Sequence, residues 1–130
     1  MTSLRPYLLS LLRIVAGFTF GLHGVALLFG LFGGADDHGA RAVAFTLLWF
    51  AGVLELIGGF LMVIGLFTRF TALVLSGQMA FAYVTVHSPR GPFPIHNGGE
   101  LAVLYCFIFL YLSVAGPGPI SIDRAVRRVL

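Results

Sequence analysis

The run Val53-Leu54-Glu55-Leu56-Ile57-Gly58-Gly59-Phe60-Leu61-Met62-Val63-Ile64-Gly65 sets one carboxylate inside an apolar, glycine-rich segment. The apolar character extends on both sides, from about Ala42 to Phe67. As a helix that stretch is long enough to cross a hydrocarbon core of about 30 Å. An acid at such depth is costly, so Glu55 needs a partner or a purpose. Gly52 and Gly59 stand at i−3 and i+4 on the carboxylate's own face. They leave space there for a close helix or for a small ligand.

The whole chain has the same grain. Of its 130 residues 58% are hydrophobic and 10% are charged, and the mean hydropathy is +0.99. Soluble domains carry about 25% charge, so the composition describes a membrane protein with no room for a separate soluble domain. All eight basic residues are arginine. They are scattered rather than striped, so the net charge of +3 is a topology marker and not a nucleic-acid footprint. Cys106 is the one cysteine. It excludes an intramolecular disulfide or a C-x-x-C pair, and inside an apolar run it reads as an inert thiol. Arg5 and the apolar run after it outlast a signal peptide's apolar core, so they read as a retained first span.

Four spans are expected. The first covers about residues 7–32, opened by Pro6. Arg13, Gly17, Phe20, Gly21 and Gly24 share one face of it, where glycines admit a close neighbour. The second covers about 42–67. Thr68-Arg69 is read as a very short turn, which makes spans two and three antiparallel neighbours. The third covers about 70–87 and carries Gln78 near its middle, with Tyr83, Thr85 and His87 toward its end. Ser88 to Gly99 is rich in proline and glycine and is expected to be a structured loop rather than a helix. Asn97 is read as the N-cap of the fourth span, about 98–115, with Glu100 in its first turn. Gly116-Pro117-Gly118-Pro119 stops that span. Residues 120–130 then form an interfacial amphipathic tail, with Ile122, Val126, Val129 and Leu130 on one side and Arg124, Arg127 and Arg128 on others. The expected fold is an all-α membrane protein: a four-transmembrane-helix antiparallel bundle with a short C-terminal amphipathic helix.

Arginine placement sets the orientation. Arg5, Arg69 and the tail arginines lie on one side, Arg41 and Arg90 with Asp36 and Asp37 on the other. The positive-inside rule puts both termini in the cytoplasm of a bacterial-type inner membrane. His23, His87, His96, Asn97 and Glu100 then fall toward the outer surface, Glu55 and Gln78 deeper, and Arg13 deepest. Intramembrane polar residues nearly always face the protein interior, so these residues would line one path from the outer surface into the bundle.

At the fourth span a family resemblance emerges. Asn97-Gly98-Gly99-Glu100-Leu101-Ala102, Phe109-Leu110-Tyr111-Leu112, Ala115-Gly116-Pro117-Gly118 and Ser121-Ile122-Asp123 are similar to the C-terminal signature of the DoxX family. Leu12-Arg13 through His23-Gly24, Glu55-Leu56-Ile57-Gly58-Gly59, Gly65-Leu66-Phe67-Thr68-Arg69 and Ala82-Tyr83 through His87 resemble it too. The resemblance covers essentially the whole chain. It implies a small four-helix inner-membrane protein, with members linked to quinone-coupled sulfur oxidation and to oxidoreductase complexes that handle oxidative stress. Related thiol-oxidising bundles depend on cysteine pairs, and this chain has one cysteine.

Three readings of the site follow. In the first, the chain is a membrane subunit of a redox complex with a quinone pocket. The ligand-binding or proton-relay candidates are Arg13, His23, Glu55, Gln78, His87 and Glu100, with Phe81, Phe107 and Tyr111 as walls or, more plainly, as lipid-facing bulk. In the second, a metal or haem is held by His23, His87, His96 and Glu100, against the plainer reading of histidines hydrogen-bonded near the headgroups. In the third, Arg13 and Glu55 form a buried pair that fixes helix register in a non-catalytic scaffold. No residue is named as catalytic. The expected partners are lipid, redox-complex subunits and further copies of the chain, and not nucleic acid. An oligomeric channel has little sequence support, since no inverted repeat is visible.

Overall fold

A computed structural model describes residues 2–129, with side chains for residues 3–127. Leu130 and the side chains of Arg128 and Val129, assigned above to the tail, lie outside the described residues. Among those described, the chain is helical and contains no named strand, only an isolated bridge between Gly34 and Ala40. The helices are α1 (Arg5–Phe29), α2 (Leu47–Ile64), α3 (Thr68–Ala82), α4 (Pro94–Asn97), α5 (Glu100–Ala115) and α6 (Ile122–Val129). A π-helical turn, Tyr83–His87, and a 3-10 turn, Ser88–Arg90, prolong α3. Three helical stretches are apolar and long enough to cross a membrane: Arg5–Phe29, Leu47–Ile64 and Thr68–Arg90. The α5 helix is apolar but has 16 residues, about 24 Å of rise. That is short of the hydrocarbon core, so length alone supports three of the four expected spans.

Several boundaries differ from the expectation, each for a local reason. Gly30 takes the left-handed conformation (φ 73°) and caps α1 at Phe29, ending it before residue 32. Residues 42–45 are not helical. Thr46 is extended and its hydroxyl accepts a hydrogen bond from the Trp49 amide at 3.4 Å, so α2 starts at Leu47. The turn assigned to Thr68-Arg69 lies earlier. Gly65 is left-handed (φ 71°), the amides of Gly65 and Leu66 both return to the Leu61 carbonyl, and Thr68 already belongs to α3. The loop after α3 is partly helical, through the π turn, the 3-10 turn and α4.

The chain divides into two compact units, Met1–Leu66 with Pro117–Leu130, and Phe67–Gly116. In the first, α1 and α2 pack antiparallel at glycine contacts. A Cβ at Gly59 would stand 2.7 Å from the Gly17 carbonyl oxygen and from the Gly21 backbone nitrogen. A Cβ at Gly24 would stand 2.5 Å from the Leu56 nitrogen. The two backbones touch, which only residues without a side chain allow. In the second unit α3 and α5 pair antiparallel. Ser76 donates to the Cys106 carbonyl at 2.7 Å, and Arg69 reaches the Ser113 and Val114 carbonyls. Large apolar side chains point outward from both units, as at Phe18, Phe60, Phe70 and Phe107. In water that would be a liability, and in lipid it is the expected surface.

Candidate functional site

In the first unit Arg13 is fully buried, as is Ser10 one turn before it. The Arg13 Nε donates to the Met62 carbonyl at 2.8 Å and Nη2 to the Ile120 carbonyl at 2.6 Å. Nη1 donates to the Pro117 carbonyl, and Nη2 makes a longer contact of 3.4 Å with the Val63 carbonyl. Met62 and Val63 belong to the last turn of α2, whose carbonyls have no helical donor ahead of them. Pro117 and Ile120 belong to the strap that leads into α6. Ser10 joins the same knot. Its hydroxyl donates to the Pro117 carbonyl at 3.3 Å and accepts from the Ile120 amide at 3.1 Å. Arg13 therefore neither snorkels to the surface nor pairs with Glu55. Its planar fork holds backbone carbonyls, a use that sequence does not display. Arg69 does the same for the C-terminal turn of α5 in the second unit.

Glu55 is buried on α2, 7% exposed. The glycine space beside it is taken by α1. A Cβ at Gly52 would stand 3.1 Å from the Leu27 and Leu28 side chains, and Gly59 lies against Gly17 and Gly21. On these two flanks the choice between ligand and helix falls to the helix. His23 adjoins Gly24, which packs on Leu56, so His23 and Glu55 stand at the same level of the α1–α2 pair. His23 is exposed on α1. The loop between α1 and α2 is braced by Asp36, whose Oδ1 accepts from the His38 amide at 2.9 Å and the Ala40 amide at 3.0 Å. Those backbone bonds, Ala40 first, hold the Asp36 carboxyl below its ordinary pKa.

The second unit holds a tighter arrangement. Asn97 is buried, 2% exposed, at the end of α4. It does not cap α5, whose N-cap is Gly99. Its side chain instead ties three segments together. Nδ2 donates to the Tyr83 hydroxyl at 3.2 Å and to the Gly91 carbonyl at 3.1 Å, and Oδ1 accepts from the Gly99 amide at 2.9 Å. The following glycines have distinct jobs. Gly98 is left-handed (φ 76°), and a Cβ at Gly99 would stand 2.7 Å from the Tyr83 ring. Asn97-Gly98-Gly99 thus lets the Tyr83 ring lie against the start of α5. The π turn Tyr83–His87 brings His87 round so that its Nδ1 lies 3.2 Å from the Asn97 carbonyl oxygen. The Tyr83 and His87 rings are 6.4 Å apart and inclined by 32°.

This geometry fixes the chemistry of both rings. A carbonyl oxygen only accepts, so the His87 Nδ1 carries the proton and, in the neutral ring, Nε2 is the basic nitrogen. The Tyr83 oxygen accepts from Asn97, which leaves its own hydrogen to donate elsewhere. One corner thus offers a donor and a proton acceptor side by side. π turns of this type recur at functional sites. Tyr83 was not among the expected site residues, and Asn97 was expected on the polar path only as a helix cap. The signal that could have found them is Asn-Gly-Gly, a side-chain-braced turn directly before a helix.

The remaining candidates take plainer positions. Gln78 is half-buried on α3, Glu100 is exposed as the first residue of α5, and His96 is exposed on α4. Among the described residues no group of three or more His, Cys, Asp or Glu side chains is placed to hold a metal ion. Phe81, Phe107 and Tyr111 are 54%, 64% and 57% exposed, the orientation of lipid-facing rings rather than of an enclosed slot.

The sequence matches the family model DoxX over residues 8–88. A Haemophilus influenzae protein described as uncharacterized is 46% identical over 92% of this chain and 91% of its own length. A second, also uncharacterized, from the same organism is 35% identical over 58% of this chain and 50% of its own length. A Bacillus subtilis protein with the name "Putative oxidoreductase CatD" is 26% identical over 89% of this chain and 84% of its own length. No solved structure matches the chain.

Proposed function

The chain belongs to the DoxX family of membrane proteins, and from that premise we propose that it is the membrane subunit of a quinone-linked redox complex, with Tyr83 and His87 at the quinone site. The single observation that carries this reading is that Asn97 holds both the Tyr83 hydroxyl, through its side-chain amide, and the His87 Nδ1, through its carbonyl. A quinone head presents two oxygens that need a donor when they are carbonyls and a base when they are hydroxyls, and this corner offers one of each. The name of the distant Bacillus subtilis relative is consistent with redox work.

When bound, a quinone supplies a two-electron, two-proton couple. His87 Nε2 would accept a hydrogen bond from one quinol hydroxyl and, as the electron pair left the head, one of its two protons, the other passing to solvent. Tyr83 donates a hydrogen bond to the partner oxygen and orients the head. Glu100, one residue after the glycine that admits the Tyr83 ring, is the proposed exit for the proton. Glu55, with His23 at its level, is a second proton-carrying group in the other unit, and Gln78 a further donor from α3. Arg13 is withdrawn from the ligand set because its donors are engaged by carbonyls. The two electrons would pass to a redox cofactor on a partner subunit. Arginine placement supports a bacterial inner membrane with both termini in the cytoplasm and the His87 corner at the outer side.

The test is quinone retention. Full-length protein is purified in mild detergent with membrane ubiquinone or menaquinone, and bound quinone is extracted and counted per chain. Tyr83→Phe removes one hydrogen bond and lowers retention about fivefold, and His87→Phe removes the base and lowers it about tenfold or more. Equal retention in both variants, with helicity intact, would overturn the assignment.

A further inference from the structure

We propose that α6 is a docking surface for anionic lipid headgroups, held at the membrane boundary by the Arg13 knot. Three independent features place it there. The α2 helix is 18 residues long, about 27 Å, so Gly65 at its end lies at the edge of the hydrocarbon core. The Asp123 amide donates to the Gly65 carbonyl at 2.9 Å, which fixes the start of α6 at that depth. The strap before it is pinned by Arg13 and Ser10 at Pro117 and Ile120. Such anchoring is a large investment for a terminal segment of eight residues.

The helix itself is built for a boundary. Ser121 caps it, its hydroxyl accepting from the Arg124 amide at 3.1 Å. At 100° per residue Ile122, Ala125 and Val126 share one arc, and Arg124 and Arg127 share the opposite one. Ile122 and Val126 are 40% and 43% exposed, and both arginines are exposed, so neither face is covered by protein. An isolated helix of this length is marginal in water. A bilayer surface meets both faces at once, acyl chains against Ile122 and Val126 and phosphates against the arginines. Charge selects the lipid. Asp123 is the one acid on α6, against Arg124, Arg127 and, next in sequence, Arg128. Arginine near an anionic surface favours it about fivefold per residue.

Tryptophan quenching by brominated lipid tests this in the full-length protein. Trp49→Phe with Val126→Trp puts the reporter on α6, and vesicles of phosphatidylcholine are compared with vesicles containing phosphatidylglycerol, each brominated in turn. The expected result is quenching by both lipids, with phosphatidylglycerol preferred by on the order of 25-fold for Arg124 and Arg127 together. Arg124→Gln with Arg127→Gln lowers the preference at least about fivefold, and Arg124→Lys with Arg127→Lys keeps it, since charge rather than shape is read. Absence of quenching, or equal quenching by both lipids in the parent, overturns the proposal. So does a preference that the glutamine pair leaves undiminished. Circular dichroism of the variants confirms that helix content is unchanged.

Discussion

Removing the Arg13 guanidinium should unfasten three parts of the first unit at once. Two of its contacts are short and well formed, to the Met62 carbonyl at 2.8 Å and the Ile120 carbonyl at 2.6 Å. Hydrogen bonds from a charged donor contribute about 1.5–3 kcal/mol each, so these two together give roughly 3–6 kcal/mol. The 3.4 Å contact to Val63 adds little. For a chain of this size Arg13→Ala is then expected to lower the unfolding midpoint in detergent by on the order of 10–20 °C. Arg13→Lys should recover less than half of that, because a point ammonium cannot reproduce the planar fork. The loss should be local first. Trypsin should reach Arg124 and Arg127 faster in the variant than in the parent, since the strap to α6 is released. The carboxylate at Glu55 should not matter. Glu55 sits seven residues before Met62 on α2, about 10 Å along the axis. A double-mutant cycle of Arg13→Ala with Glu55→Gln should therefore give a coupling energy below about 0.5 kcal/mol. Midpoints within a degree or two of the parent for Arg13→Ala would refute the carbonyl clamp. A coupling of several kcal/mol would restore the Arg13–Glu55 pair in its place.

Gly59→Ala should destabilise the protein by about 1–3 kcal/mol, because its Cβ would stand 2.7 Å from the α1 backbone. Gly77→Ala, where nothing lies within 4 Å of the new Cβ, should instead stabilise α3 by about 0.5–1 kcal/mol; thermal melts of the two compare them directly. The Asp36 carboxyl has a lowered pKa in the folded loop, so its contribution is present above the ordinary carboxylate value, about 4, and fades as pH falls through the lower folded value. Amide exchange at His38 and Ala40 should accelerate in that acid window, and Asp36→Asn, which still accepts both bonds, should remove the pH dependence. Asn97→Ala leaves the Tyr83 hydroxyl, the Gly91 carbonyl and the Gly99 amide without their partner. It should cost about 1–3 kcal/mol of stability and lower quinone retention as Tyr83→Phe does.

The helices were legible because long apolar runs and the Gly-Pro-Gly-Pro stop are written in residue types, while the left-handed glycines Gly30 and Gly65 set ends that the apolar runs overshoot. So was the α1–α2 approach in part, since Gly17, Gly21 and Gly24 share a face. What they met was not legible. The room beside Glu55 at Gly52 and Gly59 could have held a ligand, and only the fold shows α1 filling it. Arg13 was misread for a similar reason. Sequence reasoning pairs charge with charge, while the partners here are main-chain carbonyls whose availability depends on where α2 ends. The Tyr83, His87 and Asn97 corner depends on a π turn that no side-chain pattern announces. One extra residue in that turn redirects His87 toward Asn97, and a reading in regular helical steps places it elsewhere. His96 and Glu100, by contrast, were grouped as metal candidates for falling on the same side of the membrane, and α4 ends between them.

The most direct test of the quinone-site reading is the nitrogen resonance of His87 in selectively labelled, full-length protein in lipid nanodiscs, followed as short-tailed ubiquinol is added. The account predicts a proton on Nδ1, held by the Asn97 carbonyl, before addition, and an Nε2 signal that moves as ubiquinol donates a hydrogen bond to it. An Nε2-protonated ring at the start, or an Nε2 signal that ignores ubiquinol at saturating concentration, would contradict it.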